Sequence, residues 1–276
     1  MTPEVWQAAL LGVVQGLTEF LPVSSTGHLI LVPALLGWHG GIVDSLQFDV
    51  ALHLGTLVAL LAVFWHDWLV LAGAALRSLA RRSLADPQAR LAWLIALATI
   101  PGVVAGALFQ RHVETTLRSP VLIGITMVFV GLLLALLDRS ARQTRNEYSL
   151  GAVGAFAIGV GQALALIPGV SRSGSTIATG LGLGLTRASA ARFSFLLSTP
   201  IVAGAIVKEG VDVARQGIGA GEAPVFAVGI LAAAISGYAC IRFLLAYLRT
   251  RSLMPFVVYR VIAGVGVLLF AANGSI

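Results

Sequence analysis

Charged residues are scarce in this sequence, and their scarcity decides its class. Only 11% of the 276 residues are charged, whereas 58% are hydrophobic. A soluble domain carries about 25% charged residues, so this chain has too little polar surface to cover a water-soluble globule. Its length is better counted in membrane crossings of about 20 residues each. We therefore predict an all-α polytopic membrane protein that forms a single membrane domain over residues 1–276.

Cysteine is almost absent, and the positive charge does not form the kind of patch that binds nucleic acid. Cys240 is the single cysteine, which excludes an internal disulfide. The formal net charge is +6, but most of the arginines lie in three short connections between apolar runs. This pattern is typical of the cytoplasmic loops of membrane proteins. Membrane lipids are therefore predicted partners, and nucleic acid is not.

Six apolar runs are predicted to span the membrane, because each is long enough or nearly long enough to cross it. They are residues 47–65, 91–109, 119–137, 193–207, 223–247 and 254–272. Two further apolar regions, 5–37 and 149–185, are interrupted at 22–27 and 168–174 by Pro, Gly and Ser. Proline removes a backbone donor and clashes with the preceding turn. We predict two re-entrant broken-helix hairpins, with the helix after the first break opening at about His28.

The distribution of arginine tests this arrangement. If six helices span and both hairpins return to their own side, every basic connection lies on one side and every neutral one on the other. That is the positive-inside bias. The prediction puts both termini on the outer side of the membrane.

The two broken regions resemble each other in sequence. Residues 15–27 read QGLTEFLPVSSTG and residues 162–174 read QALALIPGVSRSG, so that Ser24 and Ser171 are 147 residues apart. Each unit holds one hairpin and three crossings, and an odd number of crossings inverts the second copy. We predict an inverted-topology repeat, with repeat 1 over 1–138 and repeat 2 over 149–276. The alternative is a coincidence between two Gly/Pro-rich apolar segments.

Ionisable and hydroxyl side chains mark the first break. Glu19 lies within an apolar stretch, one helical turn from Gln15, and such a charge points to function unless it is a water-exposed interfacial carboxylate. The hydroxyls of residues 24–26 then precede a helix N-terminus, which favours phosphate. His28 could reach the same pocket as a proton carrier, or could serve only as capping structure.

The second break adds a cation. Arg172 is expected in a buried loop among hydroxyl residues, where its planar fork suits phosphate oxygens; pairing with Glu19 is the alternative. Together the two breaks offer a set that suits phosphoryl transfer. Asp49 and His53 either line the site or end a solvated helix. Arg260 is expected to reach the nearer membrane surface in a structural role.

These motifs resemble those of the bacterial undecaprenyl-diphosphate phosphatase (bacitracin-resistance) family. The resemblance rests on the Gln15–Glu19 pair and on residues 21–28 and 168–176, and covers nearly the whole chain. It implies a membrane hydrolase that removes the terminal phosphate of a polyprenyl diphosphate and so recycles the lipid carrier for peptidoglycan synthesis. It also implies the bacterial inner membrane as the location, a site toward its outer side, and a divalent metal, Mg²⁺ or Ca²⁺.

The resemblance also assigns roles by position. Ser25, His28, Glu19 and Arg172 are expected to be catalytic, with Glu19 also the metal ligand. Many members have glutamate where this chain has Gln15, which offers a metal only a neutral carbonyl. The expected substrate-binding residues are Gln15, Ser24, Thr26, Gly27, Ser171, Ser173, Gly174 and Thr176.

Two points stay open at the level of sequence. Inverted repeats with broken helices are also the common plan of transporters, so a transporter or flippase of polyprenyl phosphate lipids is the rival function. The predicted spanning helices lack the polar stripes expected of a pore, which favours the phosphatase. A homodimer is an open prediction for the oligomeric state.

Overall fold

The chain folds into helices throughout the part of it that the computed structural model describes, which is residues 3–38, 41–117, 119–216, 219 and 221–273. Ten α-helices and two short 3₁₀ turns, and no β-strand, occur in these ranges. The α-helices are α1 (Pro3–Thr18), α2 (Ser25–Leu36), α3 (Leu46–Arg81), α4 (Pro87–Thr116), α5 (Pro120–Ser140), α6 (Ala152–Leu164), α7 (Arg172–Gly182), α8 (Arg187–Gln216), α9 (Ala223–Tyr247) and α10 (Met254–Ala272).

Six of these helices are long and apolar enough to cross a membrane, which confirms the predicted number of spans. They are α3, α4, α5, α8, α9 and α10. The helix α3 is much longer than the apolar run at 47–65, because it continues as far as Arg81 past a non-helical residue at Phe64 (φ −105°, ψ 16°). The protein is therefore a multi-pass membrane protein.

The remaining four helices form two short pairs, α1–α2 and α6–α7, and each pair is separated by a break. Ser24 and Ser171 end the two breaks with nearly the same unusual backbone, at φ 79° and 71°. Each hydroxyl accepts a hydrogen bond from the backbone N–H three residues later, at Gly27 (3.4 Å) and Gly174 (3.1 Å). Both serines are thus N-caps.

These caps correct two predictions about the breaks. The helix α2 begins at Ser25 and not near His28, because Ser24 already caps it. Arg172 is the first residue of α7 and does not lie in a loop, because Ser171 is the cap. The sequence motifs therefore lie on the first turns of two helices.

The short pairs are held by spanning helices that come from elsewhere in the chain. The helix α1 packs along α9 and α6 packs along α4, while α5 packs against α10 and α3 against α8. Small residues permit the close approach of α1 to α9: a Cβ added at Gly12 would lie 2.5 Å from the carbonyl oxygen of Gly229. Close backbone packing through small residues is typical of helices in membranes.

Arg260 of α10 joins the two breaks. Its side chain is fully buried, and its guanidinium donates to the carbonyls of Met127 (3.1 Å), Pro22 (3.0 Å), Gly169 (2.8 Å) and Val170 (3.1 Å). The prediction that this arginine reaches the membrane surface is therefore wrong. Carbonyls freed by a helix break need a donor inside the protein, and Arg260 supplies it to both breaks.

Replacing Arg260 with methionine should lower the stability of the fold. The substitution keeps a long apolar side chain but leaves four buried carbonyls without their donor, at a cost of about 3 kcal/mol or more. The measurement is the midpoint of thermal unfolding in detergent. Arg242→Met is the control, because Arg242 is exposed and lies 5.8 Å from the ring of Tyr238. Equal midpoints for the two variants would contradict the role given to Arg260.

Candidate active site

A cavity of about 280 Å³ lies where the two breaks meet. Its polar lining comes from α2 and both breaks, from the first turns of α3, and from the start of α7; its apolar lining includes part of α8. The polar side chains are Glu19, Ser24, Ser25, Thr26, Asp49, His53, Ser171 and Arg172. The structure therefore brings half of the predicted site residues to one cavity, together with Asp49 and His53.

Glu19 is the centre of the polar network. Its side chain is 7% exposed, and one carboxylate oxygen, Oε1, accepts from Arg172 Nη2 at 2.7 Å. The other, Oε2, accepts from the hydroxyl of Ser25 at 2.6 Å and from Gln15 Nε2 at 3.2 Å. One carboxylate thus orients a hydroxyl from the first hairpin and a cation from the second.

Arg172 keeps a donor for a ligand although it pairs with Glu19. The pairing is the alternative that the sequence left open, and the structure shows it. The other terminal nitrogen, Nη1, is buried and has no hydrogen-bond partner. An unpaired donor of this kind is costly to bury, and Arg172 lines the cavity, so an anion bound close enough to accept from Nη1 would remove that cost. Pairing with a carboxylate and binding of an anion are therefore compatible here.

The two neighbouring serines, Ser24 and Ser25, differ in the hydrogen bonds that their hydroxyls make. Ser24 is 2% exposed, and its hydroxyl oxygen caps α2 by accepting from the backbone N–H of Gly27. The hydroxyl of Ser25 donates to Glu19 and lies on the cavity wall, and its lone pairs are not used by a cap. Ser25 is therefore better placed than Ser24 to act as a nucleophile.

Several predicted binding residues support the cavity from behind its wall. Ser173 donates to the carbonyl of Leu21 at 2.9 Å, which ties α7 to the first break. Thr176 lies 2.6 Å from the hydroxyl of Ser194 on α8. The predicted site residues that the cavity lining does not include are Gln15, Gly27, His28, Ser173, Gly174 and Thr176.

The two histidines near the site have different surroundings. His28 Nδ1 lies 2.7 Å from the carbonyl of Ser24, and Nε2 lies 2.6 Å from the hydroxyl of Tyr259, so both ring nitrogens are engaged outside the cavity wall. His53 lines the cavity, with Nε2 at 3.8 Å from Glu19 Oε2. Of the two positions that the sequence left open for His53, the structure shows the one on the cavity wall.

The oxygen donors fit a divalent cation that is shared with a bound phosphate. No group of three His, Cys, Asp or Glu side chains that could enclose a metal occurs among the residues that the structure describes. Glu19 offers one carboxylate, and Gln15, whose amide nitrogen donates to that carboxylate, has an oxygen, Oε1, that is buried without a hydrogen-bond partner. Magnesium is usually held by one or two carboxylates together with substrate phosphates, and these residues match that pattern.

Arg260 is the residue of this region whose contribution the sequence reasoning missed. A charge inside an apolar helix is itself a signal of function, and Arg260 follows Tyr259 in such a helix. Its four carbonyl partners belong to α5 and to the two breaks, which are distant in sequence.

The chain is similar in sequence to known proteins along nearly its whole length. The family model described as bacitracin resistance protein BacA matches residues 8–266. An undecaprenyl-diphosphatase of Pelotomaculum thermopropionicum is 46% identical over 268 residues, covering 97% of each chain. One from Rubrobacter xylanophilus is 49% identical over 262 residues, covering 93% of this chain and 94% of the relative. One from Geobacter sulfurreducens is 46% identical over 268 residues, covering 97% and 98%.

Proposed function

The chain belongs to the family of bacitracin resistance protein BacA, and we propose that the cavity between its two helix breaks is where it hydrolyses undecaprenyl diphosphate to undecaprenyl phosphate and phosphate. The observation that carries this assignment is the carboxylate of Glu19, which contacts both the hydroxyl of Ser25 and the guanidinium of Arg172. A nucleophile, a proton acceptor and an anion-binding cation thereby share one cavity. The relatives named undecaprenyl-diphosphatase support the reaction.

Binding of the diphosphate follows from the elements that surround the cavity. The first residues of α2 and α7 line it, and helix N-termini carry unpaired N–H groups and partial positive charge that favour phosphate. Arg172 Nη1 adds a charged donor. The substrate is therefore held from both halves of the chain.

Nucleophilic attack is proposed for Ser25. Its oxygen attacks the terminal phosphorus, the bond from that phosphorus to the bridging oxygen breaks, and undecaprenyl phosphate leaves. The hydroxyl proton passes to Glu19 Oε2, to which Ser25 already donates. Water then cleaves the phosphoserine, and Ser25 recovers its proton. Direct attack by water, with Ser25 only binding, is the alternative mechanism.

His28 is expected to act indirectly. Its ring joins the backbone of Ser24 to the hydroxyl of Tyr259, so it supports the break from which Ser25 projects. The sequence-based role of proton carrier stays a prediction. Glu19 is the nearer proton acceptor for Ser25 in this arrangement.

The expected cofactor is Mg²⁺ or Ca²⁺, and Glu19 is the residue that would hold it; Gln15 would contribute its oxygen only if its amide, which now donates to Glu19, turned over. Such an ion would neutralise the charge that develops on the phosphate oxygens. Gln15→Glu should lower the metal concentration for half-maximal activity by about tenfold, because it adds a second carboxylate. Gln15→Met should raise it. Thermal stabilisation by added metal provides a readout that does not depend on turnover, and unchanged metal dependence in both variants would contradict this site.

We further propose that the two halves, 1–138 and 149–276, are inverted repeats and that both short pairs are re-entrant hairpins. The matching caps at Ser24 and Ser171 support this proposal. So does the exchange of partners, since α1 packs on the fourth helix of the second half and α6 on the fourth helix of the first half. The arginine bias favours a site that opens toward the outer side of the inner membrane. The homodimer stays a prediction.

Release of phosphate from undecaprenyl diphosphate by the purified protein in detergent tests the function. The expected result is enzymatic release that depends on Glu19 and Arg172. If purified protein released no phosphate but moved labelled polyprenyl phosphate across liposomes, the rival transport function would replace the one proposed.

A further inference from the structure

A second cavity lies on the other side of the second break. Its volume is about 510 Å³, and its lining comes from α5, α6, α7 and the second break. The helix α7 packs against both α5 and α6, so it forms the floor of a groove between them. Ile167 lines this groove and also the cavity that contains Arg172. The groove and the proposed active site therefore adjoin at Ile167.

The groove presents an apolar surface to its ligand. Three hydroxyl residues, Thr126, Ser175 and Thr179, are part of the lining. Each donates to a backbone carbonyl, at 2.7, 3.1 and 2.8 Å respectively, so none has a proton left for a ligand. The remaining lining is glycine, alanine and larger apolar side chains such as Phe129 and Leu133. An apolar chain fits this surface and a polar ligand does not.

We propose that this groove binds the polyprenyl chain of the substrate. The inference rests on the proposed function, because it takes the diphosphate to be bound at Arg172. A chain that leaves the diphosphate past Ile167 enters the groove directly. The lining on α5 extends from Thr126 to Leu137, about 16 Å along the helix axis, so the groove takes the first isoprene units and the remainder lies in the bilayer.

At the equivalent position of the first half, two aromatic rings occupy the space next to α2. His28 is the counterpart of Ser175, at the same offset that relates Ser24 to Ser171. The ring of His28 stacks on Tyr259 with centroids 5.6 Å apart and planes inclined by 14°. Because Ser175 is small, the space between α7 and α5 stays open. In the first half, the rings of His28 and Tyr259 close the corresponding space between α2 and α10. The asymmetry directs the polyprenyl chain to one side.

Two tryptophan substitutions on α5 test the proposal. Leu133 lines the groove, whereas its neighbour Leu132 does not, and both are partly exposed apolar residues outside the catalytic machinery. Leu133→Trp should raise the KM for undecaprenyl diphosphate about tenfold, because the indole obstructs the path of the chain. Its effect on geranyl diphosphate, whose ten-carbon chain is much shorter, should be less than about twofold. Leu132→Trp should leave both substrates unaffected.

The possible results distinguish a failure of the proposed groove from a failure of the proposed function. If Leu133→Trp slows both substrates alike, or if neither KM changes, the chain lies elsewhere and membrane lipid occupies the groove. A third variant, Gly182→Leu, obstructs the far end, where an added Cβ would lie 3.6 Å from Leu137; the same selective loss is expected. Absence of phosphate release from both substrates by the unmodified protein would contradict the proposed function and not the groove alone.

Discussion

Replacing Ser25 with alanine is expected to lower kcat for phosphate release by about 10⁴-fold. The substitution removes the oxygen that donates to Glu19 at 2.6 Å and leaves the anion-binding groups in place. Substrate affinity should therefore change much less than turnover. Loss of kcat without loss of binding is the signature of a group that acts in the chemical step.

The same variant should prevent formation of a phosphoenzyme. Protein quenched with acid during turnover of substrate labelled in its terminal phosphate should carry covalent label, and the Ser25→Ala variant should carry none. Ser24→Ala is the matched control: it removes the cap of α2 and should cost about 1 kcal/mol of stability while retaining the label. If the unmodified protein carries no label and Ser25→Ala retains activity, water attacks the phosphorus directly.

The features that could be predicted from the sequence are those that local chemistry determines. The lengths of the apolar runs predicted the six candidate spans, and the clusters of Pro, Gly and Ser predicted the two breaks. The first residue of each helix after a break was missed, because Ser24 and Ser171 adopt a positive φ that nothing in their own side chains requires. Serine rarely adopts this backbone, so tertiary contacts around each break must hold it there.

Contacts across long stretches of sequence decide the rest of the site. Arg172 pairs with a carboxylate 153 residues away, and the sequence could offer this pairing only as an alternative. The orientation of the His28 ring depends on its contact with the hydroxyl of Tyr259, which is 231 residues away. Arg260 illustrates the same limit: an arginine near a helix end is ordinarily read as one that extends to the membrane surface, and only packed partners show that it remains buried.

The two copies of the motif have diverged into complementary roles. The first retains the carboxylate and the hydroxyl that faces it, and the second has an arginine where the first has Ser25. Because Glu19 contacts both positions, the carboxylate of one half is neutralised by the cation of the other. A single half would leave that buried charge without a partner, which is costly in an apolar environment.

Replacing Arg172 with alanine is therefore expected to lower kcat/KM by about 10³-fold or more, as for other arginines that stabilise phosphoryl transfer. Two effects combine: the diphosphate loses the donor Nη1, and Glu19 loses its cation. Arg172→Lys separates them, because an ammonium can pair with Glu19 but lacks the second nitrogen of the fork. We expect it to restore stability and only a small part of the activity.

The control for this prediction is a second arginine in a buried ion pair. Arg187 Nε lies 2.5 Å from Asp138 Oδ1, and neither residue lines the cavity. Arg187→Ala should lower the unfolding temperature but leave kcat of the folded fraction near its original value. If Arg172→Ala and Arg187→Ala lose stability and activity in the same proportion, Arg172 only holds the hairpins together. If Arg172→Lys is stable and still inactive, positive charge at this position is not sufficient, and the planar guanidinium fork that lysine lacks is what the phosphate requires.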